Sequence, residues 1–136
     1  MFAAQARYAV ELIKAFPNVP MILLHAGMLT DRSPEMIEQW RAALTVMAAF
    51  PNVHVKISGL GMFSMGITAP QARQVIRDTI QIFGAERTIY GSKFPLEKLH
   101  ASYADYFGHV RQVLSEYRDT EQRQVLHDNA VRFYHI

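Results

Sequence analysis

A histidine stands at the point where a short apolar stretch of the chain stops. Met21 to Leu24 are four consecutive large apolar residues, and His25 follows them directly, before the small pair Ala26-Gly27. The run is too short for an independent helix and is typical of a strand buried on both faces of a parallel sheet. Ligands and catalytic groups collect at the carboxyl ends of such strands. His25 is therefore a candidate metal ligand, base or electrostatic partner, and a histidine simply hydrogen-bonded to a neighbouring loop is the alternative.

Polar side chains also follow the next two predicted strands. Lys56 and Ser58 close an alternating stretch, and we predict that both contact a substrate, with a loop-capping role as the alternative for Ser58. Ser92 and Lys93 come directly after the third stretch, and Ser92 is a further candidate substrate contact. The ammonium of Lys93 could bind a carboxylate, and an exposed loop lysine is the alternative.

The other metal-binding residue types give no further candidates. The chain has no cysteine, which removes disulfides, thiolate metal sites and cysteine nucleophiles together. His54 is interpreted as a surface or packing residue. The remaining histidines lack the spacing of a metal-binding helix: His100, His109, His127 and His135.

The composition is that of an ordinary globular domain. Of 136 residues, 50% are hydrophobic and 19% are charged, so the chain is long enough for one domain with a real core. The net charge of +2 is spread along the sequence without a basic stripe, which argues against nucleic acid as a partner. No apolar run is long enough to span a bilayer, and Met1 to Phe16 lack the uninterrupted hydrophobic segment of a signal peptide, so we expect a cytoplasmic protein with no membrane partner.

A repeat organises the elements that position these residues. Phe16-Pro17-Asn18-Val19 recurs as Phe50-Pro51-Asn52-Val53, 34 positions later, and Phe83-Gly84 ends the next helix 33 positions after Phe50. A unit of this size is one helix and one parallel strand, and right-handed crossovers would place the three strands in one sheet. The predicted helices cover Ala3 to Ala15, Ser33 to about Phe50, Thr68 to Phe83, Leu99 to Tyr117, Thr120 to Asp128 and a last turn to Tyr134; the strands surround Ile22, Val53 to Ser58 and Arg87 to Gly91, and Gly59 to Gly66 form a loop.

These elements predict an α/β fold of about three parallel βα units plus terminal helices. Three strands cannot close a barrel of eight, which usually needs about 250 residues. A three-stranded piece of such a barrel leaves two unprotected edges.

Four blocks of the chain resemble a known family in order and spacing. They are Val19 to Gly27, Pro51 to Gly59, Phe83 to Pro95 with Glu97 to Leu99, and Asn129 to Tyr134. The resemblance is to the C-terminal half of amidohydrolase-superfamily TIM-barrel hydrolases, in the branch with sugar-lactone hydrolases and pyrone dicarboxylate lactonase. It implies that residues 1–136 are a single domain, half of a TIM (β/α) barrel, from a hydrolase of a lactone or related cyclic ester.

The resemblance also implies a role for His25, and at Lys93 the chain differs from the family pattern. His25 matches a sixth-strand histidine of the family, which implies a catalytic or metal-binding role toward zinc or manganese. The position of the family's water-activating eighth-strand aspartate is occupied by Lys93, which cannot act as a carboxylate base and would repel a divalent cation. We retain His25 and Lys93 as catalytic candidates, with the Lys93 ammonium on a lactone oxygen.

Three interpretations of the whole chain remain open. In the first, it is part of a small-molecule hydrolase and is inactive or weakly active alone, because the family's first-strand histidines lie outside it. In the second, it is a non-catalytic half-barrel that self-associates or pairs with another chain through its edge strands. The third is a truncated gene product, which predicts poor solubility.

Overall fold

The protein is described by a computed structural model that covers residues 5–62, 66 and 68–136. The start of the first predicted helix and three residues of the predicted loop between Gly59 and Gly66 lie outside this part. The helices are α1 (Ala6–Ala15), α2 (Pro34–Ala48), α3 (Ala69–Phe83), α4 (Tyr103–Leu114), α5 (Asp119–Arg123) and α6 (Asn129–Tyr134). The strands are β1 (Met21–Leu23), β2 (Val53–Ile57) and β3 (Thr88–Tyr90).

The three strands form one parallel sheet in the order β1-β2-β3. Met21 pairs with Val53, and Val55 pairs with Thr88. β2 alternates between fully buried Val53, Val55 and Ile57 and half-buried residues on the opposite face, as its sequence pattern predicts. Because all three strands run the same way, their carboxyl ends meet at one edge of the sheet, and this expectation is confirmed.

The prediction that the first strand is buried on both faces is wrong. All three residues of β1 are only half-buried, and Leu24, predicted to continue the strand, is 43% exposed in the turn that follows. β1 is an edge strand that pairs with β2 alone among the described strands, so its outer side has no neighbour. An apolar cavity of about 230 Å³ lies there between α1 and β1.

The helices begin where their capping residues predict and end with small differences. Ser33 accepts a hydrogen bond from the Met36 backbone N–H at 3.3 Å, and Gln71 accepts one from the Thr68 backbone N–H at 3.0 Å. α2 ends at Ala48, two residues before the predicted end. The predicted helix from Leu99 to Tyr117 is instead a 3₁₀ turn at Leu96–Leu99 followed by α4, and a π-helical segment, Gln124–Asp128, joins α5 to α6.

The core lies between the sheet and the helices packed on it. None of the described helices is long and apolar enough to cross a membrane. The largest fully buried side chains are Trp40, Tyr106, Phe83, Leu44, Met47, Ile57, Ile76, Ile89 and Leu114.

Polar side chains at the amino ends of the strands bind backbone carbonyls. The Asn52 amide donates to two carbonyls around the turn before β1, at 2.9 and 3.3 Å. Arg87 donates to two carbonyls at the end of α2, both at 3.0 Å. Buried Asn129 donates to two carbonyls flanking the start of β3, at 2.6 and 2.7 Å. This edge is therefore tied together by side-chain to backbone hydrogen bonds.

Candidate functional site

The chain leaves β1 through a turn of unusual backbone conformation that carries His25. Four consecutive residues have positive φ: His25 at 57°, Ala26 at 46°, Gly27 at 74° and Met28 at 63°. Such values are costly for residues other than glycine and persist where surrounding contacts enforce them. The Trp40 indole N–H donates to the Ala26 carbonyl at 2.6 Å and supplies one such contact. The turn therefore fixes the backbone from which the imidazole projects.

His25 contacts the end of the neighbouring strand. Its Nδ1 lies 2.7 Å from the Oγ of Ser58, and Ser58 is only 2% exposed. The tautomer decides the direction of this hydrogen bond: when the proton is on Nδ1, Nδ1–H donates to the Ser58 hydroxyl and the other ring nitrogen, Nε2, keeps a free lone pair. The residues predicted from the ends of two strands thus lie in direct contact.

Gly59 allows the third strand end to reach the same place. It has a φ of 60°, and a Cβ at this position would lie 3.0 Å from Nδ1 of His25 and 3.1 Å from Cδ of Lys93. A side chain here would press on both, and the left-handed backbone adds strain for any other residue. The absence of a side chain at Gly59 therefore lets the imidazole and the lysine stem approach each other.

Lys93 is a half-buried ammonium without an acidic partner at ion-pair distance among the described residues. Its backbone has a φ of 57°, and its Nζ donates to the thioether sulfur of Met62. A thioether is a weak acceptor compared with a carboxylate. The charge of Lys93 is thus held at the sheet edge and poorly compensated, which is unlike an exposed loop lysine.

Lys56 supplies a second ammonium on the half-buried face of β2. Its Nζ donates to the Tyr134 hydroxyl at 3.3 Å and lies 5.7 Å from the centre of that ring. Its stem passes Gly91, where a Cβ would lie 3.1 Å from Cδ of the lysine. Lys56 therefore lies between the end of β3 and the carboxyl-terminal helix, beside the His25–Ser58 pair.

The electrostatic environment of His25 favours its neutral form. Burial lowers the pKa of His25 below its usual 6.5, and the positive charges of Lys93 and then Lys56 lower this pKa further. A neutral imidazole at pH 7 can accept a proton, which an imidazolium cannot.

Two other sequence candidates have local partners. The Oγ of Ser92 accepts a hydrogen bond from the Phe94 backbone N–H at 3.1 Å, so it stabilises the turn after β3, and its predicted substrate contact stays a prediction. His54 packs edge-on against Phe133 with ring centres 4.9 Å apart, in agreement with its interpretation as a packing residue.

Sequence reasoning missed a buried carboxylate at this edge. Glu97 is 3% exposed, and the backbone N–H of Gly61 donates to its carboxylate. Burial raises the pKa of Glu97 above its usual 4.5, against the opposing effects of that hydrogen bond and the Lys93 charge. A Cβ on Gly61 would lie 2.9 Å from the Glu97 Oε2, so the close approach requires glycine. The one signal in the sequence is a lone acid in the apolar turn that follows Pro95.

A half-buried arginine that lines a small pocket with His25 and Gly59 was also missed. Arg32 donates through Nη2 to the Leu60 carbonyl at 3.4 Å, whereas its Nη1 is buried and has no hydrogen-bond partner among the described residues. Burial lowers the pKa of Arg32. The sequence places Arg32 in a polar loop and gives no indication of its burial.

The donors at this edge do not by themselves fit a divalent cation. Within residues 5–62, 66 and 68–136, no three histidine, aspartate or glutamate side chains lie close enough together to hold a metal ion. His25 is flanked by two ammonium groups, and like charge repels a cation. His25 as a metal ligand stays a prediction that depends on ligands from elsewhere.

Comparisons with known proteins find relatives that match most of the chain. The chain is 37% identical over 127 residues to the uncharacterized protein y4mH of Sinorhizobium fredii, covering 93% of the chain and 42% of the relative. It is 30% identical over 130 residues to an L-fucono-1,5-lactonase of Burkholderia ambifaria, covering 90% of the chain and 44% of the relative. The chain thus spans less than half the length of these curated relatives.

The structural comparison extends along the whole chain. An amidohydrolase of Burkholderia multivorans with bound zinc superimposes with a TM-score of 0.91 at 26% identity, over 100% of this chain and 51% of that one. A putative 2-pyrone-4,6-dicarboxylic acid hydrolase of Pseudomonas putida shares the fold with a TM-score of 0.76 at 18% identity. The three parallel strands and their helices are therefore part of a TIM barrel, as the resemblance implied. Because the model of the family described as Amidohydrolase matches residues 1–136, the chain belongs to the amidohydrolase family.

Proposed function

We propose that the chain forms, as a single domain, the carboxyl-terminal half of the barrel of a hydrolase that opens a lactone or a related cyclic ester. The observation that carries this proposal is the convergence of His25, Ser58 and Lys93 around Gly59 at the carboxyl edge of the sheet. The lactonase name of one relative supports a lactone as the substrate class. Barrel enzymes place their chemistry at this edge.

In the proposed reaction, neutral His25 acts as the base. Its Nδ1–H donates to Ser58, so Nε2 accepts a proton from a water molecule as the water oxygen attacks the carbonyl carbon of the lactone. The carbonyl π electrons move to oxygen and give a tetrahedral oxyanion. The ring C–O bond then breaks, and the leaving oxygen takes the proton back from the imidazolium, which yields the open hydroxy acid.

Lys93 stabilises the charge that develops in this step. An ammonium that lies beside the imidazole and lacks an acidic partner is suited to an oxyanion, which carries full charge only after the attack. Ser92 is proposed as a further substrate contact at the same edge. The resemblance places Lys93 where the family carries its water-activating aspartate, and an ammonium there would repel a divalent cation, so no step proposed here requires a metal ion.

The remaining strands of the barrel are proposed to come from outside these 136 residues. The chain covers 42 to 51% of its relatives, and both edges of its sheet are open among the described strands. Substrate held only from one side is poorly positioned, and positioning accounts for a large part of catalysis. We therefore expect the isolated chain to be inactive or weakly active.

The test is a hydrolysis assay of the chain alone and of the chain mixed with the amino-terminal half of the Burkholderia ambifaria relative. L-Fucono-1,5-lactone and D-glucono-1,5-lactone are supplied, each with and without zinc or manganese. We expect turnover in the mixture, its loss in His25→Asn, and no dependence on either metal. Robust turnover by the chain alone would contradict the need for a second half. A stable complex that hydrolyses neither lactone would contradict the hydrolase assignment.

A second candidate function is a non-catalytic half-barrel that pairs with itself or with another chain. The observation in its favour is the apolar surface beside β1, where the cavity of about 230 Å³ lies next to exposed large side chains. The molar mass in solution, measured by light scattering, distinguishes the states. A compact dimer without lactone binding would favour this function. The exposed side chains near β1 are Tyr8, Leu12, Phe16, Val19 and Leu24.

A further inference from the structure

Lys56 and Tyr134 form a pair of hydrogen-bond donors that the proposed hydrolysis does not use. One N–H of the Lys56 ammonium is directed to the Tyr134 oxygen at 3.3 Å. A phenol that accepts in this way keeps its own O–H for another acceptor, and the ammonium keeps two further N–H groups. Tyr134 is 41% exposed, so a small molecule can reach the pair.

Positive charge predominates around this pair among the described residues. Neither Lys56 nor Lys93 has a carboxylate within ion-pair distance in the described part of the chain. Both lysines lie close enough to His25 for their charges to lower its pKa. The Glu97 carboxylate interacts electrostatically with Lys93, but its hydrogen bond is to the backbone N–H of Gly61. The cleft at the sheet edge is therefore complementary to an anion.

The donors present suit a carboxylate better than a phosphate. Phosphate sites in α/β proteins use several free backbone N–H groups. In the loop after β2, the N–H of Leu60 is bound to the Tyr106 hydroxyl, that of Gly61 to Glu97, and that of Met62 to the Gly59 carbonyl. One ammonium and one phenol match the two oxygens of a carboxylate.

We propose that Lys56 and Tyr134 bind a carboxylate carried by the substrate, so that the substrate is an anionic lactone with a second acidic group away from its ester. This inference rests on the proposed lactone hydrolysis and specifies its substrate class. In this arrangement Lys93 faces the reacting carbonyl beside His25, whereas Lys56 holds the far end of the molecule. Lys56 and Tyr134 thus determine specificity, and His25 and Lys93 perform the chemistry.

The experiment compares two lactones that differ only in this group. D-Glucaro-1,4-lactone carries a carboxylate where D-glucono-1,4-lactone has a hydroxymethyl group. Dissociation constants are measured with the 136-residue chain by backbone amide chemical-shift titration at low ionic strength, with inorganic phosphate as a third probe. We expect the glucarolactone to bind about 10-fold more tightly, as one partly screened ion pair supplies, with a smaller ratio at high salt.

Three variants test which residues cause the preference for the anionic lactone. Lys56→Met keeps most of the side-chain stem and removes the charge. It should make the dissociation constants of the two lactones equal. Tyr134→Phe removes only the hydroxyl at an exposed ring and should reduce the ratio about 3-fold, as expected for one hydrogen bond to a charged group without large desolvation. Lys98→Met removes an exposed lysine outside the cleft and should leave the ratio unchanged.

Each other outcome overturns the inference. Equal binding of the two lactones, no binding of either, tighter binding of phosphate, or a preference that survives both Lys56→Met and Tyr134→Phe would do so. The hydrolysis assay of the mixed halves separates this from failure of the proposed function. Hydrolysis of the neutral lactone without a binding preference keeps the hydrolase and removes the carboxylate site, whereas a preference without hydrolysis of either lactone keeps the site and removes the hydrolase.

Discussion

The two ends of the parallel sheet use their polar side chains differently. At the amino ends, Asn52, Arg87 and Asn129 each donate to two backbone carbonyls and tie the turns together. At the carboxyl ends, His25 contacts another side chain, and the ammonium of Lys93 donates to a thioether sulfur and has no carboxylate at ion-pair distance among the described residues.

The backbone shows the same contrast. Three residues other than glycine in the turn after β1, together with Lys93 after β3, have positive φ, whereas no described non-glycine residue does so in the turns that lead into β1, β2 and β3. Strained backbone and incompletely satisfied charge both lower stability, and both are typical of functional sites. This contrast supports the proposal that the carboxyl ends carry the chemistry, whereas the hydrogen bonds at the amino ends contribute to stability.

The largest effect is expected at the amino ends, from Asn129→Ala. The substitution leaves two buried carbonyls without their donor, and each such loss costs about 1 to 3 kcal/mol, so we expect about 3 kcal/mol lower free energy of unfolding. Urea unfolding followed by circular dichroism measures the change. The control is Asn18→Ala at an exposed turn position, which should change stability by less than about 0.5 kcal/mol.

If Asn129→Ala lowers the free energy of unfolding no more than Asn18→Ala does, the proposed difference between the two ends of the sheet is wrong. The amino ends would then be no more important for stability than an exposed turn.

The sheet and its connections could be predicted from local patterns. The Phe-Pro-Asn-Val repeat marks two helix ends and two strand starts, and β2 shows its buried face in its alternation. These signals are local, since a capping serine or a proline acts on its own turn. The parallel arrangement then places His25, Ser58 and Lys93 at one edge without any knowledge of tertiary contacts.

The predictions that were wrong or missing concern burial and long-range contacts, which depend on neighbours that local sequence patterns do not specify. Met21 to Leu23 have the composition of a doubly buried strand, yet they form an edge, because burial depends on which strands lie beside them. The burial of Glu97 results from the loop around Gly61 folding over it. The Lys56–Tyr134 contact joins residues 78 positions apart, a distance at which periodicity carries no information.

A smaller effect, with the opposite sign, is expected at the carboxyl ends from Glu97→Gln. The raised pKa means that the folded state binds a proton more tightly than the unfolded state, so the stability from this group is complete below about 4.5 and is lost as the pH rises through the folded pKa. Glutamine keeps an acceptor for the Gly61 N–H and carries no charge. We expect the variant to be at least as stable as the native chain at pH 7 and to lack that decline.

Unfolding free energies measured from pH 4 to pH 8 test this expectation. Glu38→Gln at an exposed position of α2 is the control and should follow the native profile. If Glu97→Gln is less stable than the native chain at pH 7, Glu97 stabilises the fold as the residues at the amino ends do. The two edges of the sheet would then differ less than we propose.

The smallest effect, and the most specific to the site, is a change in the titration of His25 in Lys93→Met. Removing the ammonium removes the largest of the charge effects that lower the pKa of His25, so this pKa should rise toward 6.5 while burial and the remaining positive charges still hold it below that value. The low pKa of His25 provides stability that is present above 6.5 and is lost as the pH falls through the folded pKa, so the variant should lose less stability on acidification. Imidazole proton NMR shifts measure the pKa directly, with Lys98→Met as the matched control that should leave it unchanged. A His25 titration unaffected by Lys93→Met would mean that the ammonium is too far from the imidazole to act with it on one substrate, and the carboxyl edge would lose the coupling that distinguishes it from the amino edge.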